Sequence, residues 1–141
     1  MVGVDFSSVG LDKASRLAAQ RGVTVEWVHG DLTAWEPGNR FDLVVVMYLH
    51  VPAEVRHRVF ARMARSVARG GTMLVVAHDL SNLSEGFGGP QNPAVLYTPE
   101  DVVADLAGIV DIERAERVHR TVDTQAGDAT AIDVLVRGRR S

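Results

Sequence analysis

The run Phe41-Asp42-Leu43-Val44-Val45-Val46-Met47-Tyr48-Leu49 restricts this chain more than any other stretch. It is almost continuously apolar and rich in valine, the pattern of a strand covered by helices on both faces rather than one half open to water. Strands of that kind belong to parallel sheets. The apolar part, Leu43 to Leu49, is far too short for a membrane-spanning helix, which takes about 20 such residues. A central strand of an α/β sheet is therefore expected here.

The flanking segments supply the rest of such a sheet. Val2 to Asp5 reads as a short strand that runs directly into a helix capped by Ser7 or Ser8, since a serine oxygen satisfies a free N–H of the first turn. Val9, Leu11, Ala14, Leu17 and Ala18 give that helix one apolar face, and Gly22 stops it. A strand over Val23 to Val28 follows and closes at His29-Gly30-Asp31-Leu32. After the central run, Pro52 marks a helix's first turn, and Val55, Val59, Phe60, Met63 and Val67 form its buried stripe up to a stop at Gly70-Gly71. Arg58, Arg62, Arg65 and Arg69 line the other side, which reads as a solvated helix face.

Thr72 to Ala77 is the next strand, ending at His78-Asp79. The stretch from Leu80 to Tyr97 shows no periodicity, and a loop that long is either a cover for a ligand or a bare connector. Thr98-Pro99-Glu100-Asp101 reads as a helix cap, leading a helix that carries Val102, Val103, Leu106 and Ile109. Ile112 to Val122 and Ala129 to Val136 are two strands joined through Gly127-Asp128, an antiparallel hairpin at one edge. Arg137, Arg139 and Arg140 read as a solvated tail. The chain is one α/β domain over residues 1–141.

Composition narrows the function classes. The net charge of −3 gives no bulk attraction to nucleic acid or anionic lipid. There is no cysteine, hence no disulfide framework and no thiolate chemistry. The five histidines show no ligand spacing with carboxylates, so no metal is expected. The N-terminus lacks the basic and apolar regions of a signal peptide, which makes a cytoplasmic location the expectation.

In an open parallel sheet, ligands sit outside the carboxyl ends of the strands, where an acid closing the second strand is placed to accept hydrogen bonds from ribose hydroxyls. Asp5 is that candidate, its alternative being a plain helix-capping acid. Asp31 closes the following strand, where a turn acid without a ligand is also common. Tyr48 and His50 end the central run. His50 has a reference pKa near neutrality and suits a general base, though it serves equally as a residue leading into the next helix. His78 and Asp79 hold the same position one strand later.

The order Gly3-Val4-Asp5-Phe6-Ser7, His29-Gly30-Asp31-Leu32, Phe41-Asp42-Leu43-Val44-Val45 and Gly70-Gly71-Thr72-Met73-Leu74, with a closing hairpin, resembles the class I S-adenosylmethionine-dependent methyltransferases. The likeness is nearest the TehB-like, small-molecule bacterial branch. It implies a Rossmann-like sheet, mostly parallel with a C-terminal antiparallel hairpin, and S-adenosyl-L-methionine as cofactor. It also implies ribose binding at Asp5 with Phe6 beside the adenine, the adenine amino group at Asp31 with Leu32 nearby, and Met47, Tyr48 and Leu49 around the sulfonium and the mouth of the acceptor site. Tyr48, His50, His78 and Asp79 are then the substrate-side candidates, and a small molecule is the acceptor.

The family's first strand and Gly-x-Gly loop have no counterpart here, so the chain begins at the family's second strand. Its one glycine cluster, Gly86-Phe87-Gly88-Gly89, neither follows the first strand nor opens the first helix. Without that first strand the Val2 to Asp5 and Phe41 to Leu49 strands expose unpaired edges, which are free to pair with each other or with another chain. Those edges raise a second reading, a non-catalytic truncated module that dimerises through them. A third, a nicotinamide-binding Rossmann domain, also uses an acid after the second strand, but Asp31 and the closing hairpin suit it less well.

Overall fold

A computed structural model describes all residues, Met1–Ser141. They form two compact units, Met1–Glu36 and Pro37–Ser141.

The first unit is a strand-helix-strand arrangement. Strands β1 (Val2–Asp5) and β2 (Glu26–His29) pair in parallel with Asp5 opposite His29, so their carboxyl ends coincide. Helix α1 (Ser8–Gln20) joins them, capped by Ser7, whose Oγ accepts the Gly10 N–H at 3.0 Å. Gly22, at φ +64°, turns the chain out of the helix as expected. Two details differ from the sequence expectation. Residues 23–25 precede β2 rather than belonging to it, and Val9 and Leu17 on α1 are exposed, leaving Ala18 as the helix's one buried residue.

The second unit is a four-stranded sheet in the order β3-β4-β6-β5, built from β3 (Phe41–Met47), β4 (Val67–His78), β5 (Asp111–Thr124) and β6 (Gly127–Arg139). β3 and β4 are parallel, β6 runs against β4, and β5 runs against β6. Three strands therefore point one way and one the other, the mostly parallel α/β sheet with a closing hairpin that the sequence predicts. Helix α2 (Ala53–Ser66) packs on β3 and β4, and α4 (Pro99–Leu106) on β5 and β6. Their shared face of the sheet is the core: Val44, Val46, Met73, Val75, Ala77, Val134 and Val136 are all buried. Phe60 on α2 closes it, edge-on to Tyr97 at 5.9 Å. Burying each valine stabilises by about 1.5–3 kcal/mol.

The chain departs from the sequence expectation at four places here. β3 is the outer strand of its sheet, not a central one, because β4 is its sole partner. Its other face is open, with Leu43, Val45 and Met47 between 42% and 62% exposed. Second, α2 ends at Ser66 and β4 begins at once. Gly70, at φ +76°, and Gly71 make an irregularity inside β4 rather than a helix stop. Third, the hairpin turns at Gln125-Ala126, with Gly127, at φ +110°, opening β6. Fourth, Arg137 and Arg139 lie within β6, and Arg140 Nη1 donates to Val67 O at 2.7 Å, so these residues are not a tail.

The long loop carries a short helix, α3 (Asn82–Glu85), and one 3-10 turn at Pro93–Val95. The expected cap of α4 is present in full: Thr98 N donates to Asp101 Oδ2 at 2.8 Å, and Asp101 N to Thr98 Oγ1 at 3.3 Å. No helix is long and apolar enough to cross a membrane.

Candidate functional site

In the first unit the carboxyl ends of β1 and β2 bring two acids to one end of a small parallel sheet. Asp5 is exposed, and its Oδ1 accepts the Ser7 N–H at 2.8 Å, a side-chain turn that leaves Oδ2 for a ligand. Asp31 repeats the device: Oδ1 accepts the Thr33 N–H at 2.8 Å. That backbone hydrogen bond, with a further one from the Thr33 side chain, holds the Asp31 carboxyl below its usual range. It is an acceptor only at neutral pH. Phe6, 79% exposed, directly follows Asp5, and Leu32, half-buried, follows Asp31. Phe6 O is bonded to His29 Nε2 at 2.9 Å, which ties the two strand ends together.

In the second unit, three of the sequence-derived candidates converge at the carboxyl ends of β3 and β4. Tyr48 directly follows β3 with φ 51°, a left-handed backbone that a bulky residue rarely adopts. Such strain persists only where the surroundings fix it. Here Tyr48 N donates to Val76 O at 2.7 Å and the phenol donates to Asp133 Oδ2 at 3.0 Å. Burial, reinforced by that carboxylate, pushes the Tyr48 phenol up, so it stays protonated. The rings of Tyr48 and His78 are 5.1 Å apart, and His50 stacks on His78 at 5.4 Å and 13°. His50 Nδ1 lies 3.3 Å from Val95 O. Burial, with His78 nearby, depresses the His50 imidazole, and it is neutral at pH 7. The glycine loop borders the cluster, since a Cβ at Gly89 would stand 2.7 Å from the His78 ring.

Met47, 62% exposed, lies on the open face beside this cluster. Asp79 is placed differently: it is fully buried, and its Oδ1 accepts from Ser81 N, Ser81 Oγ and Arg117 Nε at 2.7 to 2.9 Å. No three histidine or carboxylate side chains stand in a metal-ligating group.

The organising residue of the cluster, Asp133, escaped the sequence reading. It sits on β6 opposite His78, 2% exposed, and receives Arg120 Nε at 2.8 Å on the same oxygen that binds Tyr48. Its signal was a charge inside the apolar run Ala131-Ile132-Asp133-Val134-Leu135-Val136, a position where an acid needs partners. Tyr48 and Arg120 supply them, while Arg117, from the same edge strand β5 as Arg120, pairs with Asp79. Arg56 escaped as well. Whereas Arg58, Arg65 and Arg69 are exposed and Arg62 is half-buried, Arg56 is buried against Asp105 of α4 at 2.6 Å with its guanidinium over Tyr97. The pair clamps α2 to α4 and is structural.

Comparison with known proteins adds to this geometry. The family model described as a methyltransferase domain matches residues 1–71. A search of curated proteins gave no match. The chain is similar in structure to the N-methyltransferase NodS from Bradyrhizobium japonicum WM9, with a TM-score of 0.70 at 18% identity over 99% of this chain and 72% of that one. NodS in complex with S-adenosyl-L-homocysteine gives 0.70 at 17% identity, over 99% and 65%. TehB from Haemophilus influenzae gives 0.77 at 10% identity, over 99% and 49%. At these identities the likeness is one of fold, and this chain spans about half the length of TehB.

Proposed function

We propose, from the premise that this chain belongs to the methyltransferase domain family, that it transfers a methyl group from S-adenosyl-L-methionine to a small-molecule acceptor. The observation that carries the cofactor assignment is the pair of acids at the coincident ends of β1 and β2, each held by its own backbone turn. Asp5 takes the ribose hydroxyls and Asp31 the adenine amino group, which are donors matched to acceptors. Phe6 and Leu32 are assigned to the faces of the adenine, and Met47 to the methyl-donor side, as the family's motif positions imply. The cofactor supplies an electrophilic methyl group on a positively charged sulfonium.

Acceptor binding is assigned to the second unit, at Tyr48, His50 and His78 on the open ends of β3 and β4. A semi-enclosed group of aromatic rings with a few polar atoms is the usual lining of a small-molecule site. The test is incubation with S-adenosylmethionine labelled in the methyl group and a cell metabolite extract. Label in the low-molecular-weight fraction is expected. Label found solely on protein or nucleic acid would contradict the acceptor class.

One observation favours a second reading, association through a strand edge. β3 has a free edge and presents Leu43, Val45 and Met47 to solvent, the kind of strand that pairs with another chain unless guarded. Sedimentation of the chain at high concentration tests it: a dimer abolished by Val45→Lys supports homodimerisation, and a strict monomer removes it.

A further inference from the structure

The cluster around Asp133 holds polar atoms that its internal bonds leave unmatched. Oδ2 of Asp133 accepts from Tyr48 and Arg120, whereas Oδ1 stands 3.2 Å from His78 Nδ1. The approach is off the line of a good hydrogen bond, and both atoms are buried without an aligned partner. Orphaned buried polar atoms call for an explanation. In ligand-free enzymes, catalytic hydrogen bonds are often long or misaligned and tighten when substrate arrives.

We propose that His78 and Asp133 form a proton-accepting dyad for an acceptor whose nucleophilic atom is a hydroxyl oxygen, a phenol being the simplest case. This rests on the methyltransferase reading above. His78 Nδ1–H donates to Asp133 Oδ1, which fixes the tautomer and leaves the lone pair on Nε2. The acceptor's O–H proton passes to His78 Nε2 while an oxygen lone pair forms the bond to the methyl carbon. The carbon–sulfur bond breaks with its electron pair remaining on sulfur. The imidazolium so formed lies beside the Asp133 carboxylate, then loses its proton to solvent. His78 is the catalytic residue. Asp133 is a positioning residue, and Tyr48 and Arg120 hold its carboxylate aimed.

Two comparisons within the cluster favour this assignment. His50 faces a carbonyl, Val95 O, with Nδ1 and has no carboxylate partner, so it serves as the stacked wall behind His78. Nε2 of His78 is not among the buried unpartnered atoms, whereas Nδ1 is, and Gly89 brings no side chain against that edge, where a Cβ would stand 3.0 Å from Nε2. The acceptor class follows from the chemistry of the base. An amine in its neutral form attacks with the lone pair it already has and sheds its proton afterwards. A phenol, with a pKa of about 10, is almost wholly protonated at neutral pH and gains from a base held at the oxygen.

The experiment uses the full chain and two readouts. Imidazole nitrogen NMR at mildly alkaline pH, with His78 assigned from the His78→Gln spectrum, reports the tautomer without any cofactor. His78 protonated on Nδ1, moving toward Nε2 in Asp133→Asn, is expected. An Nε2–H tautomer in the unmodified chain overturns the dyad, even if the variant fails to fold. Kinetics then compares methyl transfer to phenol and to 4-nitrophenol, which is largely ionised under the same conditions. His78→Gln is expected to slow phenol by about 100-fold or more, the scale of general-base catalysis, and 4-nitrophenol far less. Equal slowing of both overturns the proton-accepting role. Binding of S-adenosylhomocysteine with transfer to neither phenol overturns the hydroxyl assignment. Absence of S-adenosylhomocysteine binding falls on the methyltransferase reading instead, and the tautomer still decides the dyad.

Discussion

Asp105 is the residue on which two others depend. It receives Arg56 Nε at 2.6 Å from inside the core and faces His57 at 3.2 Å from the surface. Removing one partner of a buried ion pair leaves the other charge stranded, which costs about 3–5 kcal/mol. Arg56→Ala is expected to destabilise by that amount in urea unfolding, and Arg56→Met with Asp105→Leu to recover most of it. His50 gives a prediction in pH. Its imidazole is depressed below 6.5, first by burial, so the unfolded chain binds the proton more readily than the folded one. Stability from this group is complete above the unfolded value and is lost as pH falls through it toward the folded one. The urea midpoint is therefore expected to drop on acidification below about pH 6.5, with a shallower slope in His50→Phe. His78, Asp133 and Val95 O face the ring and set how far the depression goes.

Elements differ in how clearly the sequence announced them. The start of helix α4 was legible, because Thr98 and Asp101 satisfy each other's backbone N–H groups locally and need no tertiary partner, whereas its end was not, since α4 stops at Leu106 and Ile109 lies beyond it. Thr98→Ala is expected to cost about 1 kcal/mol in thermal or urea unfolding. The end of α2 was misread because Gly70 looks like a helix stop from sequence alone. Its left-handed φ instead serves an irregularity inside β4, where Gly70 N bonds to Arg140 O at 2.6 Å, across the sheet. β3 was misplaced for a related reason. A continuous valine run reports only that a strand is apolar on both faces, not that something covers both. Val46, 5% exposed, faces α2, while Val45 faces solvent. Val46→Lys is expected to unfold the sheet, and Val45→Lys to shift stability by no more than about 0.5 kcal/mol. The placement of candidate residues at strand ends was legible, for Asp5, Asp31, Tyr48 and His78. The cluster was illegible at Asp133 and Arg120, whose partners come from register between strands far apart in sequence.

At the scale of the whole molecule, the two units differ in what holds them. Ala18 is the only buried apolar residue of Met1–Glu36, whereas Pro37–Ser141 contains the rest of the core. Two strands and one helix bury too little to be stable alone, so the acids proposed to hold the cofactor sit on the less stable part. Hydrogen exchange is expected to be far faster at β1 and β2 amides than at those of β4 and β6, with β1 and β2 slowed by the cofactor product. The central claim, that Asp5 and Asp31 bind the nucleoside half of S-adenosylmethionine, is tested most directly by calorimetric titration with S-adenosylhomocysteine. A dissociation constant near 1 μM, about −8 kcal/mol, weakened at least about tenfold by Asp5→Asn through the loss of about 1.4 kcal/mol, is the predicted result. No heat of binding, or the same affinity in Asp5→Asn, would contradict it.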